Sequence, residues 1–572
     1  MKKIFLPVVT GLLWLNGLHA QDLIEKASVN ANFQTDAALY TNDKALGLDK
    51  TTLAGKRLGI NGYTQVNYTL QNFSAGLRYE AFMPPMLGFP SELQGNGIAH
   101  WFVKYQVDRF TINAGNIYEQ FGTGMILRTY EEWSLGYDNA LNGVGAHFTP
   151  LEGITVKAVA GYQRSYWEKF ESGNRGIVRG VYADVNFNEM ISALEESPWK
   201  ISLGTGFVSK YEKMATKTLI RPIDNQGSYE KYEYKLPANV GAWSMMAILG
   251  YGNWSLMAEY ARKDPNPSAL NNYIYRNGQA LLAQLSYSRK GLGIQLMAKR
   301  IDNMGFKSRM DEKGNVLDIN FLPPVTMVHA YSFANMYPYA TQPNGEMAFQ
   351  GQVNYKIPRN TKLGGKYGTD IEIYFARVNS IKKESPAPGI PIDSTGTLGY
   401  SSPFFTLGDE IYYQDLKVQV FRKFSSSFKT TAAWFNQIYN KDVIEGHNNE
   451  YGKVYTHIGV LDMTYKLSEK QALRLELEAL FTQQDKGNWM GATLEYTIAP
   501  HWFFSVMDEY NYGNPSKDNK LHYYGVSAGY SIKSSRLSIS YGRQREGLLC
   551  VGGICRYVPA YTGLGITITS TL

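Results

Sequence analysis

Two stretches of the chain combine residue types that could do chemistry. The first is Asn116 to Asn139, dense in glycine, aromatic rings and charge, with Glu119, Arg128, Glu131, Glu132 and Asp138. No period-two pattern keeps these charges on one face. The segment is therefore expected to leave a barrel wall and fold into the lumen, where Arg128 would pair with acids. In the plainer reading it is a structural brace. In the sharper reading it is a substrate-contacting eyelet, because opposed charges across a narrow pore set selectivity. The second stretch, Tyr541 to Pro559, carries Arg543, Arg545 and Arg556 around Cys550-Val-Gly-Gly-Ile-Cys555. These are the only cysteines, and in an exported chain a small loop disulfide is the expected pairing. A metal pair is the rival, but no histidine or second cysteine pair stands nearby. The arginines would make the mouth of the last hairpin basic, or pair with acids of the lumen.

Catalysis finds no such footing. His100, His147, His329, His447, His457, His501 and His522 are isolated, and His19 lies in the leader. No Ser/His/Asp order, metal-ligand spacing or cofactor motif emerges. The expectation is a non-enzyme with no cofactor and no metal. The positive charge is mild and dispersed, so no nucleic-acid partner is expected.

These stretches must be held by strands. Leu473, Leu475, Leu477, Ala479 and Phe481 share one parity, and Arg474, Glu476, Glu478 and Thr482 share the other. A strand alternates its faces, so this segment is greasy on one side and charged on the other, at about the 9–11 residues that cross a bilayer at a tilt. The unit recurs. A first strand is expected over 26–36. Pairs follow at 58–70 with 73–81, 99–107 with 110–114, 141–149 with 154–163, 177–187 with 199–208, 240–251 with 254–263, and 278–289 with 292–302. Others are 347–357 with 369–380, 411–423 with 427–439, 454–467 with 472–483, 488–498 with 502–512, and 521–532 with 536–543, before a last strand at 561–571.

Connections alternate in length. Gln71-Asn72, Asp108-Arg109, Gly252-Asn253 and Ser534-Ser535 are short, whereas 209–239, 303–346 and 381–410 are long and polar. Outer-membrane barrels have short periplasmic turns and long extracellular loops. No internal apolar run is long enough for a helical span, and only helices and closed barrels satisfy every backbone group in lipid. The fold class is all-β: one large transmembrane antiparallel barrel of about 24 strands, in a range of about 18–26. No repeat of fixed period supports a propeller.

Residues 1–20 read as a signal peptide, with Lys2 and Lys3 ahead of the apolar run Ile4 to Leu15 and Ala20 before the cleavage point. Losing Lys2 and Lys3 lowers the formal net charge from +7 to +5. Residues 21–572 form one barrel domain in the outer membrane of a Gram-negative bacterium. Few residues precede the first strand, so the plug domain of a TonB-dependent receptor is not expected. The lumen is expected to carry Arg78, Glu80, Lys104, Lys157, Lys299, Asp462, Lys466, Arg474, Glu476, Glu478 and Glu495.

The run Tyr118-Glu-Gln-Phe-Gly-x-Gly, with Leu-Arg-x-Tyr-Glu-Glu and Leu-Gly-x-Asp-Asn up to 139, and the Gly-Arg-Gln-Arg to Cys-Arg-Tyr-Val-Pro ending at 542–559 resemble a Bacteroidota-type family of outer-membrane barrels of unknown function. The resemblance covers most of the mature chain and implies location and fold only. The expected function is passage of a polar solute through a lumen narrowed by 119–139 and parts of 303–346. The alternative is a non-conducting subunit of an export or surface assembly, with the aromatic loop Ala330 to Tyr339 as a contact surface. Expected partners are outer-membrane lipid, a small polar solute and other outer-membrane proteins.

Overall fold

Alternation sets the architecture. In Gln471–Phe481, Leu477 and Phe481 are 40% and 50% exposed, while Glu476 and Glu478 on either side of Leu477 are buried. The apolar side chains of this strand therefore face outward and its charges face in. Leu77, Trp101, Val103, Met245, Leu296, Leu494 and Val526 are likewise exposed on the outer faces of their own strands. An apolar belt on the outside of a sheet is stable only against hydrocarbon.

The computed structural model describes residues 27–167, 176–213, 217–222 and 227–572. The signal peptide read at 1–20 lies outside the described residues. Twenty-four antiparallel strands form one sheet, each paired with its neighbours in sequence. The sheet closes where Ala27–Tyr40 meets Tyr561–Thr571, with Phe33 opposite Ser570 and Leu39 opposite Leu564. The protein is an all-β transmembrane barrel with no free edge. Among the described residues no helix is long and apolar enough to cross a membrane. The first strand runs further than its alternation indicates. Ala37 to Leu39 break the polar/apolar pattern, but they pair on one side with Leu58 to Ile60 and on the other with Leu564 to Ile566.

One end of the barrel is made of tight turns. Gln71, Asp108, Lys533 and Gly252 adopt positive φ in two-residue connections, which match the twist of the flanking strands. Two connections at this end are longer, 187–198 with two short helices and 358–368. Outward aromatic pairs ring it: Trp199 with Tyr251 (4.7 Å), Trp254 with Tyr287 (4.6 Å) and Trp502 with Tyr530 (4.6 Å). Such rings sit at the level of lipid headgroups. The other end carries the long connections, and three of these build the interior.

Candidate functional site

A 24-stranded wall encloses far more space than its own side chains fill. The first filler is the segment 118–140, between Phe110–Ile117 and Leu141–Leu151. Phe121, Met125, Ile126 and Leu127 are buried against Val178, Tyr182, Val208, Val240 and Ala242 of the inner wall. Glu259, fully buried on the wall, accepts the Thr123 amide at 2.7 Å. Gly122 beside it has φ +53°, and a Cβ there would sit 2.5 Å from the Glu259 carboxylate. Only glycine allows that approach. Further on, Gln120–Phe121 pairs with Leu127–Arg128, and Glu131–Glu132 pairs with Tyr137–Asp138.

Four of the predicted charges meet here. Arg78 of the wall bridges Glu80 (2.8 Å), Glu131 (2.6 Å) and Asp138 (3.2 Å). Arg164 closes the group on Glu80 (2.6 Å) and Asp138 (2.5 Å). Two guanidinium groups thus face three carboxylates. Burial pushes the Glu131 carboxyl up to about 7, although Arg78 pulls the other way. The three acids have the spacing of a cation site, but both arginines occupy their oxygens, so the chemistry is that of a brace.

The other predicted residues of this segment separate. Glu119 accepts Lys157 Nζ at 3.0 Å and contacts His147. Glu132 accepts the Ser134 amide at 3.2 Å and caps the turn Trp133–Leu135. Arg128 does not pair with acids as expected. It stacks between the rings of Phe321 (4.1 Å) and Tyr130 (4.5 Å), and among the described residues no carboxylate is within ion-pair distance. A weakly hydrated guanidinium can be held by ring faces instead.

The second filler is 303–345. Its first part knits onto the first filler: Arg128 N–H donates to Ile319 O at 2.9 Å, and Phe321 N–H to Gly124 O at 2.9 Å. It then reaches the opposite wall. Tyr331, Phe333, Ala334, Tyr337 and Tyr339 are buried on Val378, Phe435, Ile458, Leu480 and Trp489. The aromatic stretch 330–339, expected to be an exposed contact surface, is therefore the inner packing of the lumen. Wall acids fasten it. Glu478 accepts the amides of Ser332 (3.0 Å) and Phe333 (2.9 Å). Asp415 meets His329 Nε2 at 2.6 Å, and Glu346 accepts the Tyr339 hydroxyl at 2.5 Å while pairing with Lys299 at 2.6 Å. Glu478 is thus an anchor, whereas Arg474 forms a ladder with Asp462, Glu476 and Glu495 on the inner wall. Lys104 stands on the inward parity, exposed, and Lys466 is exposed near the short-turn end.

The third element is the hairpin Gly547–Val551 with Ile554–Val558, closed by the Cys550–Cys555 disulfide. The three arginines of 541–559 go three ways. Arg545 pairs with Glu509 at 3.0 Å. Arg556 donates to Leu87 O at 3.3 Å and lies 4.0 Å over the Phe89 ring. Arg543 shares the outward parity of Leu537, Ile539 and Tyr541 and holds Asp43 at the rim, at 2.7 and 2.9 Å. One side of the hairpin borders a mouth cavity of about 760 Å³, with Tyr337, Lys441, Asp485, Lys486 and Tyr557 in its lining. Its charges are largely paired, Lys441 with Asp485 (2.7 Å) and Lys486 with Glu546 (2.7 Å). Phe89, under Arg556, borders a second cavity of about 530 Å³ at the seam of first and last strands.

The profile of DUF6029, a family of unknown function, matches residues 1–572. The chain belongs to this family. No curated protein matches it. Among solved structures, the DUF6029 chain is similar to the siderophore receptor PirA from Pseudomonas aeruginosa (9% identity, 95% of this chain and 80% of that chain, TM-score 0.40). It is also similar to the P pilus usher PapC translocation pore (10%, 95% and 99%, 0.43) and to OpdQ of Pseudomonas aeruginosa (8%, 96% and 97%, 0.32).

Arg164, Glu259, Asp415, Glu346 and Glu509 are among the residues of this DUF6029 interior that the sequence does not single out, and His329, which reads as isolated, meets Asp415. Glu259, Asp415 and Glu509 carry a readable signal, because each is a charge on the inward parity of its strand. What each anchors is set by a loop elsewhere in the chain.

Proposed function

We propose that this protein is an outer-membrane transporter of a Gram-negative, Bacteroidota-type cell, exported by the 1–20 signal peptide, which passes a small polar solute through a gated lumen. The segment 119–139 and parts of 303–346 form the constriction. Arg78, Glu80, Glu131 and Asp138 brace it, while Lys104, Arg474 and Glu476 line the wall beyond it. The observation that carries this reading is the mouth cavity. It lies open between the inserted loops and the disulfide hairpin, with the charged groups of Lys441, Asp485, Lys486 and Glu546 set among apolar side chains in its lining. The inserts are loops of the barrel itself, tied to the wall by individual ion pairs and amide contacts in addition to apolar packing.

Single-channel recording in planar bilayers tests it. The intact protein is expected to give stable stepwise conductance, and a variant lacking 119–139 a larger step. Equal conductance in both would overturn the assignment of the constriction.

A second reading has one observation in its favour. Two extensive apolar clusters seat the inserts, as in a lumen that is filled permanently. The protein would then be a non-conducting subunit of a larger assembly. Electrical silence together with a stoichiometric partner recovered from gently solubilised membranes would establish that reading.

A further inference from the structure

The filling of the lumen is uneven around its circumference. The first apolar cluster covers the inner wall up to Leu292–Asp302, and the second covers it from Glu346–Ile357 to Trp489–Ile498. Beyond Tyr523, which packs on Trp489, neither reaches the inner faces of Trp502–Tyr510, His522–Ile532, Ser535–Gln544, Tyr561–Thr571 and Ala27–Tyr40, where a small cluster of Ala38, Tyr40 and Leu53 covers only the long-loop end. These five strands meet at the seam that closes the barrel.

Along the middle of these strands most inward positions are small and uncharged. Ser505, Ser527, Ser538, Ser540, Gly565 and Thr567 alternate with outward Val506, Val526, Leu537, Ile539, Ile566 and Ile568. Ser540 is exposed although it faces the inside. The charges in the sector are few. Asp36 is occupied by Gln34 Nε2 (2.9 Å) and Thr567 Oγ1 (2.8 Å), Glu509 is paired with Arg545 (3.0 Å) at the long-loop end, and Arg536 lies 5.6 Å over the Phe503 ring near the short-turn end. The cavity of about 530 Å³ lies along these strands and is bounded by Met86, Phe89 and Trp133. Trp133 is fixed edge-on by Tyr63 at 4.6 Å.

We infer that the permeation path runs along this seam and serves an uncharged, hydroxyl-rich solute of mono- or disaccharide size. This deepens the transport reading and rests on it. Serine, threonine and glutamine side chains both donate and accept hydrogen bonds, as sugar hydroxyls do. Aromatic rings offer apolar faces to the C–H surface of a sugar ring. The volume falls within the range of small-molecule sites, about 300–1,000 Å³. A charged solute would meet no ring of opposite charge here, and such rings are what select ions.

Flux into liposomes holding the full-length protein decides it. Ser527→Cys, Ser540→Cys and, as a control on the inner face of the filled sector, Ser286→Cys would each be treated with a bulky sulfonated thiol reagent, without reductant. Glucose flux is expected to fall at least fivefold at 527 and 540 and to stay within twofold at 286. Gluconate, of similar size but charged, should enter at least tenfold more slowly than glucose. Sugar flux that survives modification at 527 and 540 would overturn the seam route while leaving transport intact. Equal entry of gluconate and glucose would overturn the solute class. No flux of any solute through the untreated protein would overturn the transport reading itself.

Discussion

Glu131 shows how one residue can set the seating of an insert. It faces Arg78, Glu80 and Asp138, with Arg164 behind them, in a group with one more carboxylate than guanidinium. Burial raises its carboxyl to about 7, against an ordinary value near 4.5. The seated insert thus binds a proton that the released insert would not hold between those values. Seating is strengthened as pH falls through this window and weakened as pH rises through about 7. Channel closures are expected to lengthen between pH 8 and pH 5.5, and Glu131→Gln to remove that dependence. A variant with the full dependence would assign it to another group. The Lys441–Asp485 pair acts elsewhere on the scale: burial raises Asp485, but Lys441 outweighs it and holds the carboxyl below its usual range, so this pair is insensitive in that window. Glu478 is a simpler case. Glu478→Ala leaves the Ser332 and Phe333 amides without their acceptor, at a cost of about 1–3 kcal/mol to the seating of 303–345. Amide exchange across 329–339 should accelerate about tenfold or more, and unchanged protection would refute the anchor.

At the scale of elements, the disulfide hairpin stands between the mouth cavity and the seam cavity, with Tyr557 lining one and Arg556 stacked on Phe89 at the other. Removing the crosslink with Cys550→Ala and Cys555→Ala leaves the hairpin register to its backbone pairs and is expected to lengthen open dwell times several-fold at unchanged unitary conductance. Unchanged dwell times would make the disulfide irrelevant to gating. The strands themselves were legible because lipid and lumen impose opposite demands at adjacent positions, as Leu477 and Glu478 display. The inserts were legible only as interruptions. Met125-Ile-Leu127 has no alternation because all three side chains are buried, between wall and second insert. Tyr331 to Tyr339 looks like an exposed sticky loop until the wall it lies on, 40 to 160 residues away in sequence, is placed beside it. Arg128 reads from the sequence as a residue of the lumen, but its partners are Phe321 and the neighbouring Tyr130 rather than the acids close by in sequence. Parity tells which way a side chain points. It does not tell which loop arrives to meet it.

The whole molecule is a wall with two solvents, and each residue's tolerance follows from the one it faces. Leu477 is opposite Leu461 and Ala492 in mid-strand, on the outward apolar belt. Thr493 lies on the neighbouring strand, on the inward parity between outward Ala492 and Leu494. The two positions are at similar depth and differ chiefly in the medium they face. Arginine at the bilayer midplane costs about 2–4 kcal/mol on the lipid face of such barrels, and lumen positions escape that cost. Leu477→Arg should therefore lower folding free energy in lipid vesicles by about that amount. Thr493→Arg should stay within about 1 kcal/mol of the parent, since Glu495 and Glu476 are inward neighbours able to receive the new charge. Denaturant titration of folded protein in vesicles, read by the mobility of the closed barrel on a gel, measures both. Equal destabilisation by the two substitutions would mean that the outer belt does not face hydrocarbon. Every inference about the lumen would then fall with it, because inside and outside are defined in this barrel by that belt alone.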